Sequence, residues 1–215
     1  MCKYCDDEMS PEEKIHHHVN DSVAPENYLR AIKHMHGVLK ELGVDLTDEN
    51  FQNTPQRFVK YLAEFLQPFD AARILSSSFS THHAEYNGMV VQTKIPFRGV
   101  CAHHLLPYIG EAHIGMVPNK SVVGLSKVPR LVKAVGLNTP SIQEKQTDIL
   151  ADLLVKELEP KGVIVVVSAV HTCMAARGVA VPNTPTVTSS VRGVFRDVPA
   201  ARQEFFELLK ANHLA

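Results

Sequence analysis

Cys101-Ala102-His103-His104 and His171-Thr172-Cys173 set soft and borderline metal ligands in two short segments far apart in the chain. Such a pairing makes chemical sense only where folding brings the segments together. Two thiolates and one imidazole match the preferences of Zn²⁺, and three protein ligands leave the fourth tetrahedral position open to water, which marks a catalytic zinc rather than a closed structural one. Taken singly, each cysteine or histidine would be an ordinary core or surface residue. Taken together, in two segments that each sit at a strand end, they read as the metal site of an enzyme that performs a hydrolysis. His171 and Cys173, alternating at the end of a strand, are expected on one side of it, so that one binds metal while the other acts beside it.

Anion handling has its own candidates in Ser126-Lys127, Arg130 on the following turn, and Arg177 beyond Cys173. A helix starting near Ser126 would aim its free amides and positive dipole end at a phosphate, with the cations adding full charges. The same pattern also fits an ordinary N-cap with a solvated basic face. Ser141-Ile142-Gln143-Glu144 matches a capping box in which Glu144 folds back onto the cap. Spacing alone favours that structural role, although an ionised carboxylate there could instead accept two N–H bonds from a guanine edge.

These residues must be positioned by regular elements. Leu29, Ile32, Met35, Leu39 and Leu42 recur at helical spacing and stop at Gly43. A second helix opens at Thr54-Pro55 and carries Phe58, Val59, Leu62, Phe65 and Leu66. From Asn87 the pattern turns to strands, Met89 to Pro96, Ile109 to Val117 and Gly162 to Val170, with a last extended segment from Thr186 to Val194. Between them lie helices starting near Ser126 and Ser141, and a terminal helix starts at Pro199. Gly99 and Pro107 bracket an irregular loop around Cys101. The order predicts an α+β fold with a mainly antiparallel sheet. Its expected divisions are an N-terminal arm over 1–23, a helical region over 24–86 and a catalytic domain over 87–215. Cys2 and Cys5 in the arm have the spacing of a metal knuckle, but without a second half they read as incidental cysteines.

Composition narrows the function classes. The chain has 215 residues, 45% hydrophobic and 21% charged, enough for one substantial core. A net charge of −1 offers no general field for nucleic acid or anionic membrane, so an anionic ligand must be held by a local basic pocket. Four cysteines without a secretory leader point to a reducing compartment, the cytoplasm. The longest apolar run, Gly162 to Val170, is too short to span a bilayer.

Several motifs in order carry a family resemblance: Thr54-Pro55-Gln56-Arg57, Cys101-x-His103-His104, Gly124-Leu125-Ser126-Lys127, Gln143-Glu144, His171-x-Cys173-x-x-x-Arg177-Gly178, and the tail from Thr186 to Phe195. The sequence resembles GTP cyclohydrolase I from about Thr54 to Leu209. The resemblance implies a tunnelling fold (T-fold), an antiparallel sheet with helices on one face and an N-terminal helical layer, assembling into a toroidal homodecamer with active sites between subunits. It implies zinc held by Cys101, His104 and Cys173, and a triphosphate gripped by Ser126, Lys127, Arg130 and Arg177, with Arg57 reaching in from a neighbour. Gln143 and Glu144 match its guanine-recognition pair, against the capping role that spacing favoured.

The implied reaction converts GTP and water to formate and 7,8-dihydroneopterin triphosphate, the first step of pterin and tetrahydrofolate biosynthesis. Zinc lowers the pKa of its bound water to about 7, so that attack on C8 of the purine is possible at neutral pH. His171 fits as acid and base for this step, with His103 assisting later proton transfers. Two positions depart from the family pattern: Ala102 stands where Glu is usual, and Lys145 where Arg commonly follows Gln-Glu. The alternative reading is therefore a zinc- and nucleotide-binding homologue with impaired turnover. Zinc nucleobase deaminases are excluded, because they need a P-C-x-x-C segment after an H-x-E, and this chain has no P-C-x-x-C.

Overall fold

In a computed structural model the protein is described over residues 24–76, 78–80, 86 and 88–213, and the expected N-terminal arm, with Cys2 and Cys5, lies outside them. Two compact units are present, one ending at Pro68 and the other beginning at Phe69. The first holds α1 (Pro25–Glu41) and α2 (Thr54–Glu64), each with proline in its first turn, where the missing N–H costs no helical bond. Gly43 follows α1 with φ of 81°, the left-handed conformation glycine adopts freely. Tyr28 is buried and its hydroxyl donates to the Gln56 carbonyl at 3.4 Å, tying the two helices together. Of the apolar stripe expected on α1, Leu29 and Leu42 are exposed, whereas Ile32, Met35 and Leu39 are half-buried.

The second unit runs α3 (Ala71–Leu75), β1 (Ser78–Ser80), β2 (Val90–Val100), β3 (Pro107–Val117), β4 (Ser121–Val123), α4 (Lys127–Asn138), α5 (Gln143–Leu158), β5 (Gly162–His171), α6 (Thr172–Ala175), β6 (Pro185–Gly193), α7 (Val194–Asp197) and α8 (Pro199–His213). Its main sheet has the order β2-β3-β5-β6, antiparallel throughout, and β1 pairs with β4 separately. The expected α+β architecture is present, with β2 and β6 left as edges.

Alternation along the strands sorts residues to two faces. Ala112, Ile114 and Met116 of β3 and Val163, Val165 and Val167 of β5 pack with Leu131, Val132 and Val135 of α4 and with Leu150 and Leu154 of α5. Full burial of each such aliphatic side chain contributes about 1.5–3 kcal/mol, so this layer anchors the sheet. The intervening residues Ile164 and Val166 pack instead with Phe195, Phe205 and Leu209. Helices on one face alone was therefore incomplete, because α8 covers part of the opposite face. The physical reason lies in β5 itself, whose unbroken Val/Ile run is the pattern of a strand buried on both sides. Beyond the reach of α8, Ile109 and Val187 stay exposed.

Candidate metal centre and its cleft

The first ligand segment is the short connection between β2 and β3. Gly99 and Pro107, expected in an irregular loop, belong instead to the paired strands, opposite Tyr108 and Val100 respectively. What remains is a single tight turn. The Leu105 N–H donates to the Cys101 carbonyl at 2.8 Å, and the Cys101 N–H to the Leu106 carbonyl at 2.9 Å. Leu105 closes the turn with φ of 52°, a conformation that few side chains other than glycine adopt. Residues three apart in such a turn share a face, so Cys101 Sγ and His104 Nδ1 stand 3.9 Å apart. Ser141 braces the turn, donating its N–H to the Val100 carbonyl at 3.0 Å and accepting from the Ala102 N–H at 3.3 Å.

Cys173 arrives differently from the expectation. The strand ends at His171 and the chain winds into α6, so Cys173 approaches from a helical turn rather than by strand alternation. The Thr172 hydroxyl pins this turn by donating to the Pro107 carbonyl. The convergence itself is present: donor atoms of Cys101, His104 and Cys173 all lie within 4.8 Å of one another. A tetrahedral Zn²⁺ with sulfurs at about 2.3 Å and nitrogen at about 2.0–2.1 Å would separate its ligand atoms by roughly 3.5–3.8 Å. The donor set and its spacing therefore fit a divalent ion that favours sulfur. His103 Nδ1 is also 3.9 Å from Cys101 Sγ, although His103 is outside the mutually close trio.

Beside the trio, His171 is held on two sides. Its Nε2 is 2.9 Å from Gln143 Oε1, and its ring stacks on Tyr108 with centroids 4.3 Å apart and planes 13° apart. Tyr108 is fully buried and its hydroxyl donates to Gln146 Oε1. A β-carbon at Gly99 would fall inside the Tyr108 ring and against Gln146, so glycine there makes room for the stack. Burial pulls His171 below the ordinary imidazole pKa, opposed by the charge of Glu144. Burial, then the neighbouring Cys101, pushes the Cys173 thiol up, while the Arg177 guanidinium pulls it down. A bound cation would reverse that ordering by taking the thiolate.

These residues open on a cleft of about 320 Å³ lined by Cys101, His103, His104, Gln143, Glu144 and His171, among others. The capping box does not form: α5 begins at Gln143 after Ile142, with no side-chain cap, and Ser141 is committed to the metal turn. Glu144 is left exposed at the cleft. Ser126, Lys127 and Arg130 sit at the start of α4, and neither they nor Arg177 line this cleft. Ser126 makes no cap bond. Gln92 of β2 donates to the Leu125 carbonyl at 2.8 Å and so braces the loop before them. Arg57 is an exposed residue of α2 in the first unit. Sequence reasoning missed Tyr108, Gln146 and Gln92; nothing in their spacing announces them, since each acts through contacts that only the folded chain makes.

Two thiols and an imidazole beside a further histidine and a carboxylate on one cleft define a metal-assisted hydrolase of α+β architecture. Comparison with known proteins narrows the class. The profile of GTP cyclohydrolase I matches residues 31–210. The chain is 42% identical over 172 residues to GTP cyclohydrolase 1 of Hydrogenobaculum sp. (strain Y04AAS1), which covers 80% of this chain and 92% of that one. It is 42% identical over 172 residues to GTP cyclohydrolase 1 of Aquifex aeolicus (strain VF5), covering 80% and 91%. For GTP cyclohydrolase 1 of Bacillus subtilis (strain 168) the identity is 41% over 176 residues, covering 80% and 90%. The chain belongs to the GTP cyclohydrolase I family.

Proposed function

We propose that this chain converts GTP and water to formate and 7,8-dihydroneopterin triphosphate, as the first step of pterin and tetrahydrofolate biosynthesis, with Zn²⁺ held by Cys101, His104 and Cys173. The observation that carries the reading is the convergence of those three donors beside His171. Zinc, when bound, supplies a water whose pKa falls to about 7. His171 then serves as the acid and base at the purine, since a neutral imidazole both accepts and returns a proton near the working pH. His103, exposed on the metal turn, assists the later proton transfers. The exposed Glu144 meets the guanine edge, because an ionised carboxylate accepts paired N–H bonds and donates none.

Ser126, Lys127, Arg130 and Arg177 bind the triphosphate, with Arg57 supplied by a neighbour. Since none of these lines the cleft of a single protomer, the reading places the complete site between subunits of a toroidal homodecamer with the T-fold. Two features support assembly: the edges β2 and β6 of the described sheet, and the exposed Ile109 and Val187 on the part of it that α8 does not reach. An arm over 1–23, a helical region over 24–86 and a catalytic domain over 87–215 remain the proposed divisions. Cytoplasmic location, without nucleic-acid or membrane partners, is proposed from the net charge of −1 and the free thiols of Cys101 and Cys173. Among the described residues no helix is long and apolar enough to cross a membrane.

The test is to supply zinc and GTP to the purified protein and measure formate together with a pterin that fluoresces after oxidation. Both are expected. Tight GTP binding without formate would favour the impaired homologue, in which the exposed Ala102 has cost a carboxylate beside the metal turn.

A further inference from the structure

Gln143 is buried to 1% exposure, and its amide is already engaged. Its Nε2 lies 3.1 Å from the Val167 carbonyl, 2.9 Å from the Thr186 carbonyl and 3.1 Å from Thr188 Oγ1. Carbonyl oxygens only accept, so the amide nitrogen must be on that side and the orientation of the group follows from its surroundings. The oxygen then faces His171 Nε2 at 2.9 Å. An amide oxygen accepts and never donates, so His171 Nε2 must carry the proton. We propose that Gln143 is a positioning residue that locks His171 in its Nε2–H tautomer, leaving Nδ1 as the nitrogen that takes and returns protons during the reaction.

The face of the ring is fixed by the same helix. Gln146, one turn after Gln143 on α5, donates to the carbonyls of Gly136, at 3.2 Å, and Thr139, which directs its own oxygen to the Tyr108 hydroxyl. Tyr108 in turn stacks on His171. Two buried glutamines therefore hold the imidazole, one at its edge and one through a stacked ring. A loosely held neutral imidazole populates both tautomers, and only one presents a lone pair on a given nitrogen. The amide hydrogens of Gln143 are divided among internal acceptors, which leaves the exposed Glu144 as the member of the pair that meets the base.

This inference rests on His171 being the acid–base group, and its test separates the two ideas. Nitrogen-15 NMR of histidine-labelled, zinc-loaded protein at neutral pH, with the His171 signals identified by their loss in His171→Ala, should report a protonated Nε2 and a bare Nδ1. A wild-type signal with the proton on Nδ1 would overturn the lock whatever the activity, and this measurement stands even if buried variants fold poorly. Gln143→Met should average the two nitrogens and lower kcat about 10–100-fold, the usual effect of losing a partner that orients a site residue, with KM for GTP unchanged. A raised KM with kcat retained would instead make Gln143 a direct purine contact and refute the proposal. Full turnover in His171→Ala would remove the acid–base assignment, and with it the catalytic half of the proposal, independently of the tautomer observed.

Discussion

Replacing Cys173 by serine removes the only donor that the second segment contributes to the proposed zinc site. Zinc sites with four ligands bind with apparent free energies of about 10–16 kcal/mol, so one ligand carries on the order of 2.5–4 kcal/mol. At about 1.4 kcal/mol per factor of ten, the zinc affinity of Cys173→Ser should fall by roughly 60–700-fold. The structure also says why this position is the better choice. His104 has a second imidazole beside it, His103, whose Nδ1 stands at the same 3.9 Å from Cys101 Sγ. Cys173 has no such substitute, because among the described residues the only other cysteine is Cys101. Competition against a chromophoric chelator gives the affinity, metal analysis gives the stoichiometry, and formate release on the same samples gives the activity. Zinc and turnover should be lost together. A variant that keeps one zinc per protomer at wild-type affinity would refute the geometric reasoning, since the remaining donors sit on one turn and cannot hold the ion alone.

His171→Ala should retain zinc while turnover drops by about 10²–10⁴, the range for losing a general acid–base group; metal loss would move His171 into the ligand set. Gly99→Ala drives a methyl into the Tyr108 ring and should cost about 1–3 kcal/mol in overpacking, read as a lower Tm with reduced kcat and unchanged zinc content. Because Cys173 is raised by burial and Cys101, zinc binding must displace a proton there, so zinc affinity should weaken as pH falls; affinity constant across pH would contradict this. Asp148 is held below the ordinary carboxylate pKa, chiefly by the Ser190 hydroxyl and further by Arg192. A depressed folded pKa stabilises fully above the unfolded value of about 3.9 and is lost as pH falls through the folded one. Asp148→Asn should therefore lower Tm at neutral pH, with the gap to wild type closing only below about pH 4.

The convergence of the candidate donors was legible because thiol and imidazole carry the same chemistry in any fold, and Cys101, His104 and Cys173 needed only to meet. The strands were legible because period-two alternation in β3 and the Val/Ile run of β5 depend on local sequence. The apparent capping box failed for a tertiary reason: Ser141 spends its backbone groups on Val100 and Ala102, so α5 starts beyond it. The strand alternation invoked for His171 and Cys173 failed because the chain turns helical at Thr172. Gln143 and Gln146 look solvated in sequence, yet both are buried, and only strands β5 and β6 and the end of α4 supply the carbonyls that make this tolerable. The second apolar face of β5 was written in its continuous run, but the helix that would cover it, α8, is remote in sequence.

The proposed chemistry requires two sulfurs and one imidazole around a single ion. X-ray absorption at the zinc edge of the zinc-loaded protein tests it most directly. The account predicts two sulfur scatterers at about 2.3 Å with nitrogen or oxygen at about 2.0–2.1 Å. A shell of nitrogen and oxygen alone would contradict it.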